Sequence, residues 1–170
     1  MNNINNSTHP NADHAIPSGK SLPSSAIYLQ KIYDFDEVEK TIISEIYHVK
    51  GRVDAIKDVS LIEIKTIDDK QYEEAPGPKK EHYVQANIGA FLLNKELNYN
   101  LKNITLIYVF RSLKRVETYN FLYNENVAKL YLERAKLIYQ YIRTNTVPVL
   151  DKKDLDKCKF CEYKRYCRDF

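Results

Sequence analysis

The chain has 170 residues and a formal net charge of +3, and 44% of its residues are hydrophobic while 29% are charged. This length suffices for one domain that buries a core without disulfides, and the composition is that of a globular protein. No apolar run approaches the ~18 residues of a membrane span, and the N-terminus lacks the pattern of a secretory signal. We therefore expect no membrane association and a cytoplasmic location. In that setting clustered cysteines favour metal over disulfides.

The first part of the chain changes from a polar arm to a β-rich region. Residues 1–25 are rich in Asn, Ser, Pro and His and lack apolar periodicity, so they predict a flexible arm. Beyond Ile27 the pattern is β-rich, and Gly51 is expected to interrupt it. The runs predict three strands, Thr41–Val49, Val53–Ile56 and Val59–Thr66.

The next segments predict a loop, a helix and two strands. Residues 67–80 (IDDKQYEEAPGPKK) break all periodicity and predict a loop. The apolar spacing that follows predicts a helix that begins after Pro78 and runs to about Leu97. Two strands are then predicted over residues 104–111 and 116–123.

A long helix is predicted between the last strand and Pro148, with Asn124 or Asn126 as its cap. Its expected buried stripe consists of Val127, Leu130, Tyr131, Leu137, Ile138, Tyr141 and Ile142. The order strands, helix, strands, helix predicts an α/β (α+β) fold in which helices pack on a mixed central sheet.

The segment GRVDAIKDVSLIEIK carries the main candidate site. Asp54 lies near the end of one predicted strand and Glu63 lies nine residues on, in the next. The residues between them are long enough for a hairpin turn, so the two carboxylates are expected to become cross-strand neighbours. Glu63 and Lys65 are two residues apart, which places both on one face of the sheet.

Two carboxylates and an ammonium group at one place indicate phosphodiester chemistry. Carboxylate oxygens suit a hard divalent cation such as Mg²⁺, which keeps positions open for water and phosphate. We expect Lys65 to stabilise charge, because two adjacent carboxylates hold its proton in place. The alternative is an exposed strand edge with a salt bridge and no catalytic role.

Together these motifs resemble the PD-(D/E)xK nuclease superfamily. Asp54 follows Gly51 by three residues, the D/E-x-K element is Glu63-Ile64-Lys65, and the next helix carries Gln85. The resemblance implies a restriction-endonuclease-like fold and a Mg²⁺- or Mn²⁺-dependent deoxyribonuclease.

The resemblance also implies a role for each of these residues. Asp54, Glu63 and the backbone carbonyl of Ile64 would bind the metal ion. Lys65 would be the catalytic lysine, and Gln85 would position water or phosphate. By itself Gln85 would be an ordinary residue of a helix surface. Only its place after the E-x-K element makes it a candidate site residue.

The chain closes on CKFCEYKRYC, in which Cys158, Cys161 and Cys167 are its three cysteines. Their spacing is typical of zinc and iron–sulfur sites. With the nuclease motifs, this tail resembles the RecB-like exonucleases associated with CRISPR systems, which also occur in archaeal viruses and carry a 4Fe–4S cluster. The fourth ligand of such a cluster would come from a non-cysteine group, another chain or solvent. The alternatives are Zn²⁺, with His9 or His14 as the fourth ligand, and a cluster that is degenerate or absent.

Three departures from that family support a second interpretation. Gly89 stands where a tyrosine usually follows the glutamine, the first cluster cysteine has no counterpart, and a metal-binding histidine is not obvious. His48 is the nearest candidate, on a presumed strand just before the glycine of GRVD. The leading prediction is nevertheless a nuclease that acts on single-stranded or end-containing DNA. The alternative is a catalytically weakened DNA-binding or adaptor protein.

The predicted organisation is thus an arm (1–25), a nuclease core (26–150) and a cysteine-rich tail (151–170). Lysines, arginines and aromatic residues of the tail would contact DNA phosphates and bases. Expected partners are DNA and proteins of replication or CRISPR adaptation, and a homo-oligomer is a further expectation.

Overall fold

The computed structural model describes residues 34–112, 115–146, 159, 161 and 162. Its strands are β1 (Glu37–Ser44), β2 (Val49–Lys57), β3 (Ser60–Ile67), β4 (Asn103–Phe110) and β5 (Val116–Leu122). Its helices are α1 (Asp69–Glu74), α2 (Lys80–Glu96) and α3 (Glu125–Thr144). The predicted arm lies outside the described residues, as does the predicted tail except for residues 159, 161 and 162.

The strands form one five-stranded sheet in the order β1-β2-β3-β4-β5. Neighbouring strands are antiparallel, except that β3 and β4 are parallel and pair from Ser60↔Asn103 to Ile67↔Phe110. A parallel pair needs a crossover connection, and α1 and α2 supply it. The predicted mixed sheet with flanking helices is therefore confirmed.

The two faces of the sheet bury different side chains. Leu61 and Ile67 of β3 belong to the main core, together with buried residues of α2 such as Ala90 and Leu93. Ile62 and Ile64 point to the other face and pack in a second cluster. The period of two along β3 thus separates the apolar anchors from the face that α2 covers.

Gly89 lets α2 pack closely on the sheet. A Cβ atom at this position would lie 2.8 Å from Cγ1 of Val53 and 3.1 Å from Cδ1 of Leu61. A tyrosine, the residue expected here from the family resemblance, therefore does not fit without displacing β2 or β3.

The substitution Gly89→Ala should lower the free energy of unfolding by about 1 kcal/mol, because overpacking costs about 1–3 kcal/mol and helix propensity returns about 1. In a Val53→Ala background the space opens, and the same substitution should stabilise the protein. Chemical denaturation of the wild type, the two single variants and the double variant measures both effects. An equal destabilisation in the two backgrounds would contradict this packing explanation.

The first predicted strand was wrong in its extent. β1 ends at Ser44, a turn occupies residues 45–48, and β2 begins at Val49. Gly51 does not interrupt β2, since it pairs with Ile42 within the antiparallel ladder. His48, predicted on a strand, lies in the turn with a φ of 53°, a left-handed conformation that turns accommodate.

The predicted loop 67–80 also contains a helix. Asp68 caps α1, because its Oδ1 accepts hydrogen bonds from the N–H groups of Lys70 at 3.1 Å and Gln71 at 3.4 Å. Tyr72 is the apolar anchor of α1 and is only 5% exposed. A helix of six residues with one buried side chain has no periodicity to detect, so the cap was its main signal.

The start of α3 is capped as predicted by Asn124. Its side-chain oxygen accepts from the N–H groups of Asn126 at 3.1 Å and Val127 at 3.4 Å. The backbone N–H of Asn124 donates to the side-chain oxygen of buried Asn87 at 2.7 Å. This bond connects the beginning of α3 to α2.

The predicted buried stripe of α3 was wrong, since four of its seven residues are exposed and the other three are only partly buried. Leu130 is 70% exposed and Ile142 is 72% exposed, whereas Ala128 and Leu132 are buried. The two buried residues are four apart and share one helix face. A small alanine was missed as a core residue because its apolar signal is weak.

Candidate active site

The sheet brings Asp54 and Glu63 to neighbouring positions on two central strands. β2 and β3 pair through Ala55↔Ile62, so Asp54 and Glu63 are the next residues outward on the two strands. Glu63 and Lys65 lie on the face of β3 that α2 covers, because Leu61 and Ile67 of the same parity belong to the main core. The predicted cross-strand arrangement of the carboxylates is present.

Asp54 is half-buried and anchored to β3. Its Oδ2 accepts the backbone N–H of Ile64 at 2.8 Å. Burial raises the pKa of Asp54, while the bond from Ile64 and the charge of Lys65 oppose that rise. One carboxylate oxygen is thus fixed by the backbone, and the other has no hydrogen-bond partner among the residues described.

Glu63 is the most deeply buried carboxylate of the described structure, with only 1% of its surface exposed. Its Oε1 lies 2.5 Å from Nζ of Lys65. Burial and the charge of Asp54 raise the pKa of Glu63 to about 7, against the lowering effect of Lys65. Desolvation and repulsion raise the pKa of Glu63 more than the single ammonium group of Lys65 lowers it. The site is therefore short of positive charge.

A cavity of about 540 Å³ lies beside Glu63, between the sheet and α2. Glu63 and Gln85 both line it, and Gln85 is exposed. The cavity wall is mostly apolar, whereas lysines and an arginine occupy other positions around it: Lys50, Arg52 and Lys80. The structure therefore places Gln85, predicted from its order in the sequence, in the same cavity as Glu63.

Glu39 and Arg52 are residues of this region that the sequence analysis missed. Glu39 stands opposite Asp54, between the pairs Val38↔Ala55 and Lys40↔Val53. Its carboxylate contacts the guanidinium of Arg52 at 2.6 Å. The charge of Glu39 raises the pKa of Asp54 and that of Arg52 lowers it.

The backbone of Glu39 is also unusual, since its φ of 54° is in the left-handed region within a strand. Such a conformation is uncommon for a non-glycine residue and is found disproportionately at functional sites. A backbone exception of this kind leaves no trace in hydrophobic periodicity, which explains why Glu39 could not be predicted as a site residue.

The structure does not bring His48 to the carboxylates. His48 lies at the β1–β2 turn, six residues of extended chain from Asp54, or about 20 Å along the strand. We give it no part in the site. Cys158 and Cys167 lie outside the described residues, as do His9 and His14, whereas Cys161 is described and exposed.

The donor set at Asp54 and Glu63 fits a hard divalent cation. Each carboxylate uses one oxygen within the chain, at Ile64 N–H and at Lys65, and keeps the other. The described residues contain no group of three His, Cys, Asp or Glu side chains that could hold a metal ion. Two carboxylates and a backbone carbonyl suit Mg²⁺ or Mn²⁺, since Mg²⁺ usually keeps several waters.

The sheet carries an aspartate and a Glu-x-Lys element on adjacent strands, and a helix with a glutamine covers them. This arrangement is typical of one class of nucleases. The model of the PD-(D/E)XK nuclease superfamily matches residues 20–168, and the chain belongs to this superfamily. A search of curated proteins found no significant match.

No helix within the described ranges has the length and apolar character needed to cross a membrane.

Solved structures resemble this fold at low sequence identity. The crystal structure of SSO0001 is 20% identical, has a TM-score of 0.50, and the match covers 84% of this chain and 63% of that one. An alkaline exonuclease from Laribacter hongkongensis is 14% identical with a TM-score of 0.47, and the match covers 72% of this chain and 68% of that one. Its complex with dAMP gives the same identity and TM-score. The match with SSO0001 supports the fold.

Proposed function

We propose that this nuclease is a metal-dependent deoxyribonuclease that hydrolyses phosphodiester bonds of single-stranded or end-containing DNA, as an exonuclease. The observation that carries the proposal is the buried Glu63, which is paired with Lys65, lies beside Asp54, and lines a cavity together with Gln85. A buried carboxylate with a raised pKa next to a second carboxylate indicates a site that a cation completes. Membership of the nuclease superfamily supports the reaction class.

In this proposal Asp54, Glu63 and the carbonyl of Ile64 hold Mg²⁺ or Mn²⁺. When bound, the ion polarises the scissile phosphate and lowers the pKa of water. Lys65 is held against Glu63 and places its positive charge where negative charge develops in the transition state. Gln85 reaches the same cavity from α2 and orients water or a phosphate oxygen by hydrogen bonding.

The basic groups around the cavity suit a nucleic-acid strand. Lys50, Arg52 and Lys80 line it together with Glu63. Cationic side chains at such a rim bind phosphates independently of base sequence. We propose that the strand enters along these residues, and that the enzyme acts in DNA replication, recombination or the processing of CRISPR spacer DNA.

For the tail we propose that Cys158, Cys161 and Cys167 bind metal, either a 4Fe–4S cluster or Zn²⁺. The CxxC-x5-C spacing supports this proposal, and the exposure of Cys161 is compatible with it. Iron and zinc analysis of anaerobically purified protein distinguishes the two metals. Protein that contains neither metal would overturn the proposal.

Incubation with 5′- and 3′-labelled single- and double-stranded DNA, with and without Mn²⁺, tests the function. We expect cleavage only with the divalent ion, and release of label first from one end. Asp54→Ala should reduce the rate by at least about a hundred-fold, as expected when a metal ligand is lost.

The matched control is Glu45→Gln, which alters an exposed carboxylate in the β1–β2 turn and should cleave like the wild type. Undiminished cleavage by Asp54→Ala would refute the site assignment. DNA binding without cleavage under any metal condition would instead support the adaptor function.

A further inference from the structure

His82 lies close to the proposed site but has no role in the mechanism above. It occupies the first turn of α2, three residues before Gln85, so the two side chains share a helix face. Its imidazole packs edge-on against Tyr108 with ring centroids 5.5 Å apart. Tyr108 of β4 pairs with Lys65 of β3, which places His82 beside the lysine of the E-x-K element.

The contacts of Tyr108 determine which nitrogen of His82 carries a proton. The phenolic oxygen accepts the backbone N–H of Lys79 at 2.8 Å and lies 2.8 Å from Nδ1 of His82. In the described structure no other acceptor lies within reach of this fully buried phenol, so its single proton goes to Nδ1. Nδ1 is then an acceptor, and the neutral imidazole carries its hydrogen on Nε2.

The surroundings of the two side chains favour a protonated Tyr108 and a neutral His82. Burial raises the pKa of Tyr108, which retains its proton. Burial and the charge of Lys65 lower the pKa of His82, which favours the neutral ring. The Nε2–H group has no hydrogen-bond partner among the described residues, so a fixed donor remains for a ligand next to Lys65.

We propose that the Nε2–H of neutral His82 donates to a phosphate oxygen of the DNA strand, at the phosphate adjacent to the one cleaved. The inference rests on the proposed nuclease function and adds a binding residue to it. A directional donor beside the Lys65 charge favours an anionic oxygen acceptor, and phosphate contacts fix the register of a strand. His82 thus sets which phosphodiester reaches Glu63 and Lys65.

The test compares His82→Ala, His82→Gln and His82→Asn. Binding is measured on the inactive Asp54→Ala background, which retains Lys65, and KM and kcat on the active one. Losing a hydrogen bond to a charged group should raise Kd and KM by about ten-fold while kcat changes little. Glutamine places an amide N–H near Nε2 and should restore most of the affinity, whereas asparagine places it near Nδ1 and should resemble alanine.

A neutral methylphosphonate at single positions of the strand identifies the phosphate. At one position the methylphosphonate should weaken DNA binding by the protein with His82 intact. At that same position it should cause no further loss of affinity in the His82→Ala protein. His48→Ala, which changes a histidine in the β1–β2 turn, is the matched control.

Equal affinity of the alanine and wild-type proteins, or losses that simply add at every position, would overturn the role of His82 and leave the nuclease function intact. A wild-type chain that neither binds nor cleaves DNA would overturn both proposals.

Discussion

Replacing Glu63 by glutamine should stabilise the metal-free protein at neutral to alkaline pH while it abolishes metal-dependent cleavage. Glu63 is 1% exposed, and burial with the charge of Asp54 raises its pKa from 4.5 to about 7. Ionising it in the native state therefore costs up to about 3 kcal/mol. Glutamine keeps the shape and removes that cost, but it supplies no carboxylate for a cation.

The pH dependence has a definite sign. The pKa of Glu63 is higher in the native state than the ordinary value of 4.5, so the native state holds this proton more tightly than the unfolded chain. Its contribution to stability is complete below about pH 4.5, falls as the pH rises to about 7, and is absent above that. The difference in unfolding free energy between Glu63→Gln and wild type should grow over this interval and then level off.

Denaturant titrations in EDTA at several pH values measure this difference. Saturating Mn²⁺ should stabilise the wild type, by about 2.7 kcal/mol at a hundred times Kd, and leave Glu63→Gln unchanged. Glu81→Gln is the matched control, because Glu81 is an exposed carboxylate that lines the same cavity. A Glu63→Gln protein less stable than wild type at pH 8 would contradict the assignment of Glu63 as a strained carboxylate.

The parts of the site that the sequence predicted are those that strand periodicity determines. Asp54, Glu63 and Lys65 follow from a period of two and a short hairpin, and the pair Ala55↔Ile62 places them as expected. Burial could not be predicted in the same way. Charged residues near a hairpin are usually exposed, and only the approach of α2 explains why Glu63 is buried.

The features that were missed depend on contacts between distant segments. The close approach at Gly89 depends on Val53 of another strand. The protonation of His82 depends on Tyr108, which is 26 residues away. The spacing of His82 and Gln85 on one helix face was a usable signal, but without Tyr108 nothing separated this histidine from an ordinary surface residue.

Lys65→Ala should reduce kcat by at least about a hundred-fold, the effect of removing one preorganised charge from a transition state. The substitution has a second consequence, because the charge of Lys65 lowers the pKa of Glu63. Without it the pKa of Glu63 rises further, the carboxyl group is more often protonated at pH 7, and metal affinity falls. The two effects need separate measurements.

Measuring metal affinity and single-turnover cleavage at about pH 7 and about pH 9 separates them. At the higher pH Glu63 ionises, so Lys65→Ala should bind Mg²⁺ more nearly like wild type. If Lys65 stabilises the transition state, cleavage at saturating Mg²⁺ stays slow at both pH values. Full recovery at pH 9 would show instead that Lys65 acts only by keeping Glu63 ionised.

Lys80→Ala provides the comparison, because Lys80 is an exposed lysine that lines the same cavity without contacting a carboxylate among the described residues. Its loss should weaken DNA binding and reduce the salt dependence, as for a phosphate contact, while kcat stays close to wild type. A fall in kcat as large as that of Lys65→Ala would mean that general positive potential matters, rather than the position of one ammonium group at Glu63. The proposed mechanism requires the two lysines to differ, since only Lys65 is paired with a buried carboxylate at 2.5 Å.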